Sequence, residues 1–328
     1  MNPPPVKIGL VGLGRMGSYH LEKLIEHSQV ELCGVLDKEH ERAQRVAASK
    51  DVKVFSSEDE LFFESDAIIV ASPTPTHFEI AKKALDNNLH VFVEKPLCDH
   101  LESAAQLVRL AEQKNRVLQT GFVERYRWRS LMGELPQWFN KKPVLITTER
   151  NAVVPSREVG MDVVTDIMIH DVDFVLWLLG EPPVSIQASG VSVKNSVIDI
   201  AHARLEFSSG VTAHLQVNWL SPQRRRETQL VWEHGSLLHD QITGQAHVSP
   251  TNVLFESKVA DPLQMQLDTF IQAVNGLAPV FSSGLEGLRT LEVVEAIKHK
   301  IWQQDFEKTR SSSKDKKFLS RFWSHYAH

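Results

Sequence analysis

Residues 6–37 read VKIGLVGLGRMGSYHLEKLIEHSQVELCGVLD, and this stretch decides the fold of the N-terminal part of the chain. The apolar run Ile8–Val11 predicts a buried strand, and Ser18–His27 predicts a helix that follows a glycine turn. A second apolar run, Val30–Leu36, stops at Asp37. This order of strand, glycine turn, helix, strand and acidic residue is typical of a dinucleotide-binding unit.

The glycine turn has the pattern Gly-x-Gly-x-x-Gly, and each glycine has a physical role. Gly12 permits the tight turn, Gly14 lets the backbone approach a pyrophosphate, and Gly17 lets the helix pack closely on the strand. Arg15 and Met16 complete the turn at the helix N-terminus, where unpaired N–H groups and the helix dipole favour anions. We expect all five residues to contact the cofactor.

Asp37 follows the second strand at the distance expected of a ribose ligand. Its carboxylate can accept hydrogen bonds from the adenosine ribose hydroxyls, and it would repel a 2′-phosphate. The pattern therefore predicts NAD as the cofactor, with NADP disfavoured. Lys38 tempers this preference without reversing it.

Length and composition exclude several classes of function. With 328 residues the chain is expected to form two domains, because single cores rarely grow beyond about 250–300 residues. A net charge of −5 gives no basis for binding nucleic acid or an acidic membrane. No apolar run approaches the ~18 residues of a membrane span, and the opening MNPPPVK lacks the features of a cleavable signal. With only two cysteines, Cys33 and Cys98, the sequence favours a cytoplasmic enzyme.

Strands and helices alternate as far as Gly121, which predicts a doubly wound parallel sheet of the Rossmann type in an α/β protein. We expect residues 1–121 to form this NAD-binding domain. After the first two strands, further strands are predicted at Val52–Phe55, Ala67–Ala71, His90–Val93 and Val117–Gly121.

The pattern changes after Gly121, where residues 122–306 are expected to form a second α/β domain. Apolar and polar residues alternate through Thr212–Leu220 and through the strand before it, which predicts antiparallel strands with one buried face. The polar face could meet solvent or pair with a second subunit. Helices are predicted at Asp162–Leu179 and Gly284–Gln304. The basic tail, residues 307–328, is interpreted as a frayed terminus rather than an amphipathic anchor.

Two segments carry reactive side chains outside the glycine turn. Lys95, in Glu94-Lys95-Pro96, ends a parallel strand and is therefore aimed at the cofactor crevice. A lysine there can stabilise negative charge that develops on a substrate oxygen. The chain also turns at the same sheet edge over Ser72-Pro73-Thr74-Pro75-Thr76-His77, because the prolines prevent a continued strand.

The second reactive segment is the predicted helix Asp162–Leu179. Asp166, His170 and Asp173 fall at i, i+4 and i+7 and should share one face of an otherwise apolar helix. A histidine between carboxylates is suited to take a proton near neutral pH. A satisfied core histidine is the alternative interpretation. His and Asp at this spacing can also bind zinc or manganese, but no third His or Cys ligand is nearby, so no metal is expected.

These motifs resemble the GFO/IDH/MocA oxidoreductases. The resemblance runs from about Val6 to Gln304 and rests on four motifs in order: Gly12-x-Gly14-x-x-Gly17, Ser72-Pro73…His77, Glu94-Lys95-Pro96 and Asp166-x-x-x-His170. It implies a C-terminal domain with a large, mostly antiparallel open sheet that builds homodimers or homotetramers. It also implies His170 as general base, with Lys95 and Asp166 positioning the reacting hydroxyl. The residues that would contact the nicotinamide side of the cofactor are Ser72, Pro73, Thr74, His77, Glu94 and Lys95.

Two passages further resemble the UDP-N-acetylglucosamine 3-dehydrogenases of that family. They are the residues from Gly121 to Tyr126 and the segment from Pro155 to Asp171. This resemblance implies NAD-dependent oxidation of a sugar hydroxyl to a 3-keto product for surface-polysaccharide or lipid A precursors. The expected substrate-binding residues are Arg125, Tyr126 and Arg157. Arg125, Arg127 and Arg157 are expected to flank the pocket, and arginine suits a diphosphate. Surface arginines on loops are the alternative interpretation. A dehydrogenase of a free polyol or sugar such as myo-inositol stays open, as does a non-catalytic NAD-binding sensor.

Overall fold

The computed structural model describes residues 3–152, 161–193, 197–251, 253–256 and 261–311. The chain divides into two compact units that alternate along the sequence. Unit 1 comprises Met1–Lys141, Val172–Leu178 and Phe255–Glu292, and unit 2 comprises Lys142–Asp171, Leu179–Leu254 and Val293–His328. The linear domain boundary after residue 121 stays a prediction. Residues 312–328, which make up most of the basic tail, lie outside the described residues. The interpretation of the tail as a frayed terminus therefore stays a prediction.

Unit 1 is built on a five-stranded parallel sheet with the strand order β2-β1-β3-β4-β5. β2 lies on one side of β1, and β3, the next strand along the chain, lies on the other side. The strand order therefore reverses at β1. This arrangement confirms the predicted doubly wound sheet. The strands are β1 (Val6–Val11), β2 (Val30–Leu36), β3 (Ala67–Val70), β4 (His90–Glu94) and β5 (Leu118–Gly121).

Helices pack apolar residues against both faces of this sheet. Two buried clusters result, one on each face of the sheet. The predicted strand Val52–Phe55 was wrong, since only an isolated bridge joins Val54 to Val35. The helices are α1 (Arg15–Glu26), α2 (His40–Ala48), α3 (Glu58–Phe63), α4 (His77–Asp86), α5 (Leu101–Lys114), α6 (Glu124–Glu134) and α7 (Pro136–Phe139).

Unit 2 contains most of an eight-stranded sheet with the order β13-β12-β11-β10-β6-β9-β8-β7. β6 pairs with β9 in parallel, while β7–β8, β8–β9, β10–β6, β10–β11 and β11–β12 are antiparallel, which confirms a mostly antiparallel sheet. The strands are β6 (Leu145–Asn151), β7 (Pro183–Val191), β8 (Ile200–Phe207), β9 (Thr212–Asn218), β10 (Arg225–Trp232), β11 (Gly235–Asp240), β12 (Gln245–Ser249) and β13 (Val253–Glu256).

The alternation of apolar and polar residues in β8 and β9 gives these strands one buried face, as predicted. Apart from Ile200 at the start of β8, the apolar residues of these strands are buried, while their polar neighbours lie on the other face with intermediate or full exposure. The buried set is Ala201, Ala203, Leu205, Phe207, Ala213, Leu215 and Val217.

The helix that carries the predicted acid–base residues is not uniform. Residues Val164–Met168 are wound as a π-helix, and α8 (Ile169–Leu179) continues from there. The division between the two units falls between Asp171 and Val172. Two further helices follow, α9 (Pro262–Val274) and α10 (Gly284–Ser311). Across the described ranges, no helix is long and apolar enough to cross a membrane.

Candidate active site

The glycine loop and the turn after β3 contact each other at the carboxyl edge of the parallel sheet. Gly12 has a φ of +94°, and a Cβ atom at this position would lie 2.5 Å from the backbone nitrogen of Ser72. A Cβ on Gly17 would lie 1.9 Å from the carbonyl oxygen of Gly12. Side chains are therefore excluded at both positions, as the sequence predicts.

Gly14 is different, and this difference fits a bound pyrophosphate. A Cβ on Gly14 would meet no atom within 4 Å, so open space lies beside this backbone. Gly14 is also the N-cap of α1, and the N–H groups of Arg15, Met16 and Gly17 in the first turn have no intrahelical acceptor. Open space beside unpaired donors at a helix N-terminus is the environment that binds phosphate groups.

Asp37 also binds two backbone N–H groups, which the sequence does not reveal. One carboxylate oxygen accepts a hydrogen bond from the N–H of Leu13 at 2.7 Å, and the other accepts from the N–H of Glu39 at 2.8 Å. Arg42 lies 3.6 Å from the second oxygen and also pairs with Glu39. Each oxygen has a further lone pair, so the carboxylate can still accept a ribose hydroxyl.

The turn after β3 is held by hydrogen bonds within the turn. The hydroxyls of Ser72 and Thr76 lie 2.7 Å apart, and the Thr76 hydroxyl also lies 2.8 Å from the carbonyl oxygen of Pro73. Pro73 is exposed, and Ser72 and Thr74 have intermediate exposure. All three residues are therefore at least partly exposed at this edge of the sheet.

His77 behaves differently from the prediction that it contacts the cofactor. Its side chain is 1% exposed, and its two ring nitrogens each lie 2.9 Å from a backbone carbonyl oxygen, one of Pro96 and one of Ser72. Burial lowers the pKa of the imidazole, and the two carbonyl contacts oppose this effect. His77 therefore connects the turn after β3 to the turn after β4.

Glu94 also faces the protein rather than the cofactor. Its Oε1 atom lies 2.7 Å from Nε2 of His20 on α1, and both side chains are more than nine-tenths buried. Its Oε2 atom accepts a hydrogen bond of 3.3 Å from the N–H of Lys95. Lys95 itself has intermediate exposure just beyond β4, at the same sheet edge as the glycine loop.

Sequence reasoning missed His20, although a signal for it was present. The buried residues of α1 are Gly17, His20, Leu21 and Leu24. Their spacing is that of a helix face turned to the core. A histidine on such a face needs a polar partner, so its position in the pattern was informative.

The predicted substrate contacts of Arg125 and Tyr126 are corrected by the structure. The Arg125 guanidinium is 1% exposed and donates to both carboxylate oxygens of Asp173, at 2.6 and 2.8 Å, and to Glu286 at 2.6 Å. The Tyr126 hydroxyl lies 2.6 Å from that of Thr269. Both residues are buried and paired inside unit 1, so neither is exposed to a substrate. Arg157 lies outside the described residues.

The same ion pair changes the interpretation of Asp173. This residue was expected to share a helix face with Asp166 and His170, but its carboxylate is bound by Arg125 within unit 1. Asp166 and His170 belong to unit 2, where both have intermediate exposure. The next residue, Asp171, is 2% exposed and accepts hydrogen bonds from Arg150 at 3.0 and 3.2 Å. This buried ion pair attaches the start of α8 to β6.

Family models match most of the described chain. Residues 6–122 match the oxidoreductase family with an NAD-binding Rossmann fold, and residues 129–238 match the GFO/IDH/MocA C-terminal domain. The first match covers the glycine loop, Asp37 and Lys95, and the second covers Asp166 and His170. The N-terminal part of the chain is thus an NAD-binding Rossmann domain.

Individual relatives give the same result. UDP-N-acetylglucosamine 3-dehydrogenase from Acidithiobacillus ferrooxidans is 30% identical over 87% of this chain and 94% of its own length. Its crystal structure superimposes with a TM-score of 0.85 over 90% of this chain and 98% of that chain. scyllo-Inositol 2-dehydrogenase (NAD(+)) from Bacillus subtilis is 26% identical over 88% of this chain and 92% of its own. On these matches, the chain belongs to the GFO/IDH/MocA family of oxidoreductases.

Proposed function

We propose that this protein is an NAD-dependent dehydrogenase that oxidises a secondary hydroxyl of a sugar ring to a ketone. The observation that carries the proposal is the common edge of the parallel sheet, where the glycine loop and the backbone of Lys95 both lie. A cofactor held at the glycine loop extends along this edge, since ligands bind at the carboxyl ends of parallel strands. Lys95 would then stand beside the reacting end of the cofactor.

Three side chains are assigned to the reaction. His170 removes the proton of the substrate hydroxyl, because a histidine is the side chain best matched to this task near neutral pH. Lys95 donates a hydrogen bond to the same oxygen and stabilises the negative charge that develops there. Asp166 fixes the orientation of that hydroxyl. When bound, NAD supplies the acceptor for the hydride that leaves the substrate carbon.

The experiment that tests these roles compares Lys95→Met and His170→Asn with the parent protein. Loss of either group should lower kcat by about 10²–10⁴-fold, the usual contribution of a positioned acid–base group. The Kd for NAD, measured by titration calorimetry, should change little in both variants. Lys50→Met and His247→Asn serve as controls, since both side chains are exposed. Full turnover in the Lys95 or His170 variant would remove that residue from the mechanism.

We propose UDP-N-acetylglucosamine, oxidised at its 3-hydroxyl, as the substrate. The support is the relative of that activity, which matches nearly the whole of its length at 30% identity. The test is the initial rate of NADH formation, followed by its absorbance, with UDP-N-acetylglucosamine, UDP-glucose and N-acetylglucosamine. We expect turnover with the first at a kcat/KM well above the others, with a 3-keto product identified by mass spectrometry.

A free polyol such as myo-inositol is the second candidate, and several inositol dehydrogenases among the relatives favour it. The same assay separates the two, because myo-inositol and scyllo-inositol carry no diphosphate. Turnover with an inositol and none with UDP-sugars would replace our assignment. Tight NAD binding without turnover on any sugar or polyol would instead indicate a non-catalytic sensor.

We also propose that the protein forms homodimers or homotetramers through its C-terminal sheet. The face opposite the buried one carries a groove of about 380 Å³. The residues that line it belong to β6, β7, β8 and β9 and include Thr147, Gln187, Ser189, His202, Arg204, His214 and Gln216. Few of them are charged, which suits a face that is covered in an assembly. Light scattering that gives a monomer at every concentration would exclude this proposal.

We also propose a cytoplasmic location. Cys33 and Cys98 are both free thiols, as is usual in the reducing cytoplasm. Fractionation of cells that express a tagged form would test the compartment.

A further inference from the structure

Two buried histidines hold the residues on either side of Lys95. On one side, His20 lies 2.7 Å from the carboxylate of Glu94. On the other side, His77 lies 2.9 Å from the carbonyl oxygen of Pro96. Neither histidine is more than 2% exposed, so neither is available to bind a ligand directly.

The contact of His20 connects Lys95 to the pyrophosphate-binding helix. His20 lies on α1, one turn after Gly17, and Glu94 is the last residue of β4. The second oxygen of Glu94 accepts the N–H of Lys95 at 3.3 Å, so the histidine supports the backbone of Lys95 through one carboxylate. The ring of His20 also packs edge-on against Phe92, with 5.2 Å between the ring centroids.

The contact of His77 connects Lys95 to the turn after β3. Its Nδ1 atom faces the Pro96 carbonyl, and its Nε2 atom faces the Ser72 carbonyl at 2.9 Å. Ser72 in turn lies against the glycine loop at Gly12. The segment Glu94–Pro96 is therefore held against both neighbours that approach the cofactor.

These contacts are expected to add little to the stability of the core. A buried polar pair contributes little more than an apolar pair of the same shape, whereas it fixes geometry because hydrogen bonds are directional. Catalysis is sensitive to such geometry, since a misplacement of about 1 Å can lower a rate by about 10²-fold.

We infer that His20 and His77 are positioning residues that set the location of the Lys95 amine, acting through Glu94 and Pro96 respectively. The inference rests on the proposed function in that it takes Lys95 to act on substrate. Neither histidine touches the reacting atoms. Their effect on the position of Lys95 is already present in the free protein.

Asparagine and glutamine allow a crossed test, because the amide of asparagine lies near the position of Nδ1 and that of glutamine near Nε2. At position 20 the contact with Glu94 is made by Nε2, so His20→Gln keeps it and His20→Asn loses it. At position 77 the contact with Pro96 is made by Nδ1, so His77→Asn keeps it and His77→Gln loses it. The four variants thus form two matched pairs with opposite expectations.

Turnover of UDP-N-acetylglucosamine with NAD provides the first readout. We expect His20→Asn and His77→Gln to lower kcat by about 30-fold or more, in line with the sensitivity of catalysis to displacement. His20→Gln and His77→Asn should remain within a few-fold of the parent. KM values should not follow this crossed order. A lost buried contact also costs stability, so kcat is compared at a temperature well below the unfolding midpoints of all four variants, where a lower stability cannot imitate a lower kcat.

The second readout needs no cofactor or substrate. An amine-reactive reagent is applied to the free protein, and the labelling rate of Lys95 is measured by mass spectrometry relative to Lys142, which is exposed in unit 2. The rate should change at least severalfold in His20→Asn and His77→Gln and stay near the parent value in the other two variants.

The outcomes are distinguishable. A crossed order in both readouts supports the inference, and equal effects within each pair overturn it. If Lys95→Met retains turnover, the catalytic role of Lys95 fails, while the labelling rates still decide whether the histidines position the amine.

Discussion

The carboxylate of Asp37, at the end of β2, accepts a hydrogen bond of 2.7 Å from the backbone N–H of Leu13 in the glycine loop. The residue expected to bind the ribose thus also shapes the loop expected to bind the pyrophosphate. The two halves of the proposed cofactor site are joined by one buried acceptor, so a change at Asp37 should affect both.

Replacing Asp37 should therefore weaken NAD binding in two ways. Asp37→Ala removes the ribose acceptor and leaves the Leu13 N–H unpaired, so we expect the Kd for NAD to rise by about 10-fold to 100-fold, given about 1.5–3 kcal/mol for a hydrogen bond to a charged group. The Kd for NADP should change less, since repulsion of the 2′-phosphate is also removed. Asp37→Asn, which keeps one acceptor oxygen, is the matched control. An unchanged ratio of the two Kd values in calorimetric titrations would contradict the assignment.

A methyl group on Gly14 should block the cofactor without disturbing the fold. The added Cβ would meet no protein atom within 4 Å, so Gly14→Ala should fold normally and lose no more than about 1 kcal/mol, the cost of alanine at a helix N-cap. It would occupy the space that we assign to the pyrophosphate, and NAD affinity should fall by an order of magnitude or more.

Gly133→Ala is the control for this prediction. Gly133 lies in α6, and an added Cβ there also meets nothing within 4 Å. This change should leave NAD binding intact and stabilise the protein by about 0.5–1 kcal/mol, the usual preference of a helix for alanine over glycine. Parent-like NAD affinity in Gly14→Ala would show that the pyrophosphate lies elsewhere.

The ion pair between Arg125 and Asp173 should matter for stability far more than exposed ion pairs do. Asp173→Ala leaves the guanidinium buried with only the Glu286 carboxylate opposite it, and we expect a loss of about 3–5 kcal/mol in the free energy of unfolding. Asp86→Ala breaks the exposed pair with Lys82 and should cost less than about 1 kcal/mol. Urea unfolding of both variants checks the difference, and similar losses would mean that the buried pair is not what stabilises this region.

His90 should make stability depend on pH in the acidic range. Burial, aided by the charge of Arg116, lowers the pKa of its imidazole to about 4, and Nδ1 accepts a hydrogen bond from the N–H of Val117 at 3.0 Å. Protonation therefore favours the unfolded state, where the pKa is near 6.5. The stabilisation is complete above pH 6.5 and is lost as the pH falls from 6.5 toward 4.

His90→Asn provides the comparison, because its amide oxygen can accept from Val117 and does not titrate. The difference in unfolding free energy between parent and variant should be constant above pH 7 and should shift in favour of the variant between pH 6.5 and 4. Urea unfolding at several pH values measures this difference. A difference that stays constant down to pH 4 would mean that His90 is not held neutral in the folded protein.

The sequence by itself determined the elements whose signals are local. The apolar runs of β1 to β4, the glycine loop and the alternation in β8 and β9 were all read correctly, because side-chain periodicity and glycine conformation act over a few residues. The same local motifs, taken in order, were enough to identify the family.

The tertiary structure alone decided which polar groups are paired. Arg125 bonds to Asp173 and Glu286, 48 and 161 positions away, and His20 bonds to Glu94, 74 positions away. No periodic pattern encodes such partners, because they meet only when separate elements pack together. An arginine that looked suited to a diphosphate is therefore a buried ion-pair partner, and a histidine that drew no attention supports the segment that carries Lys95.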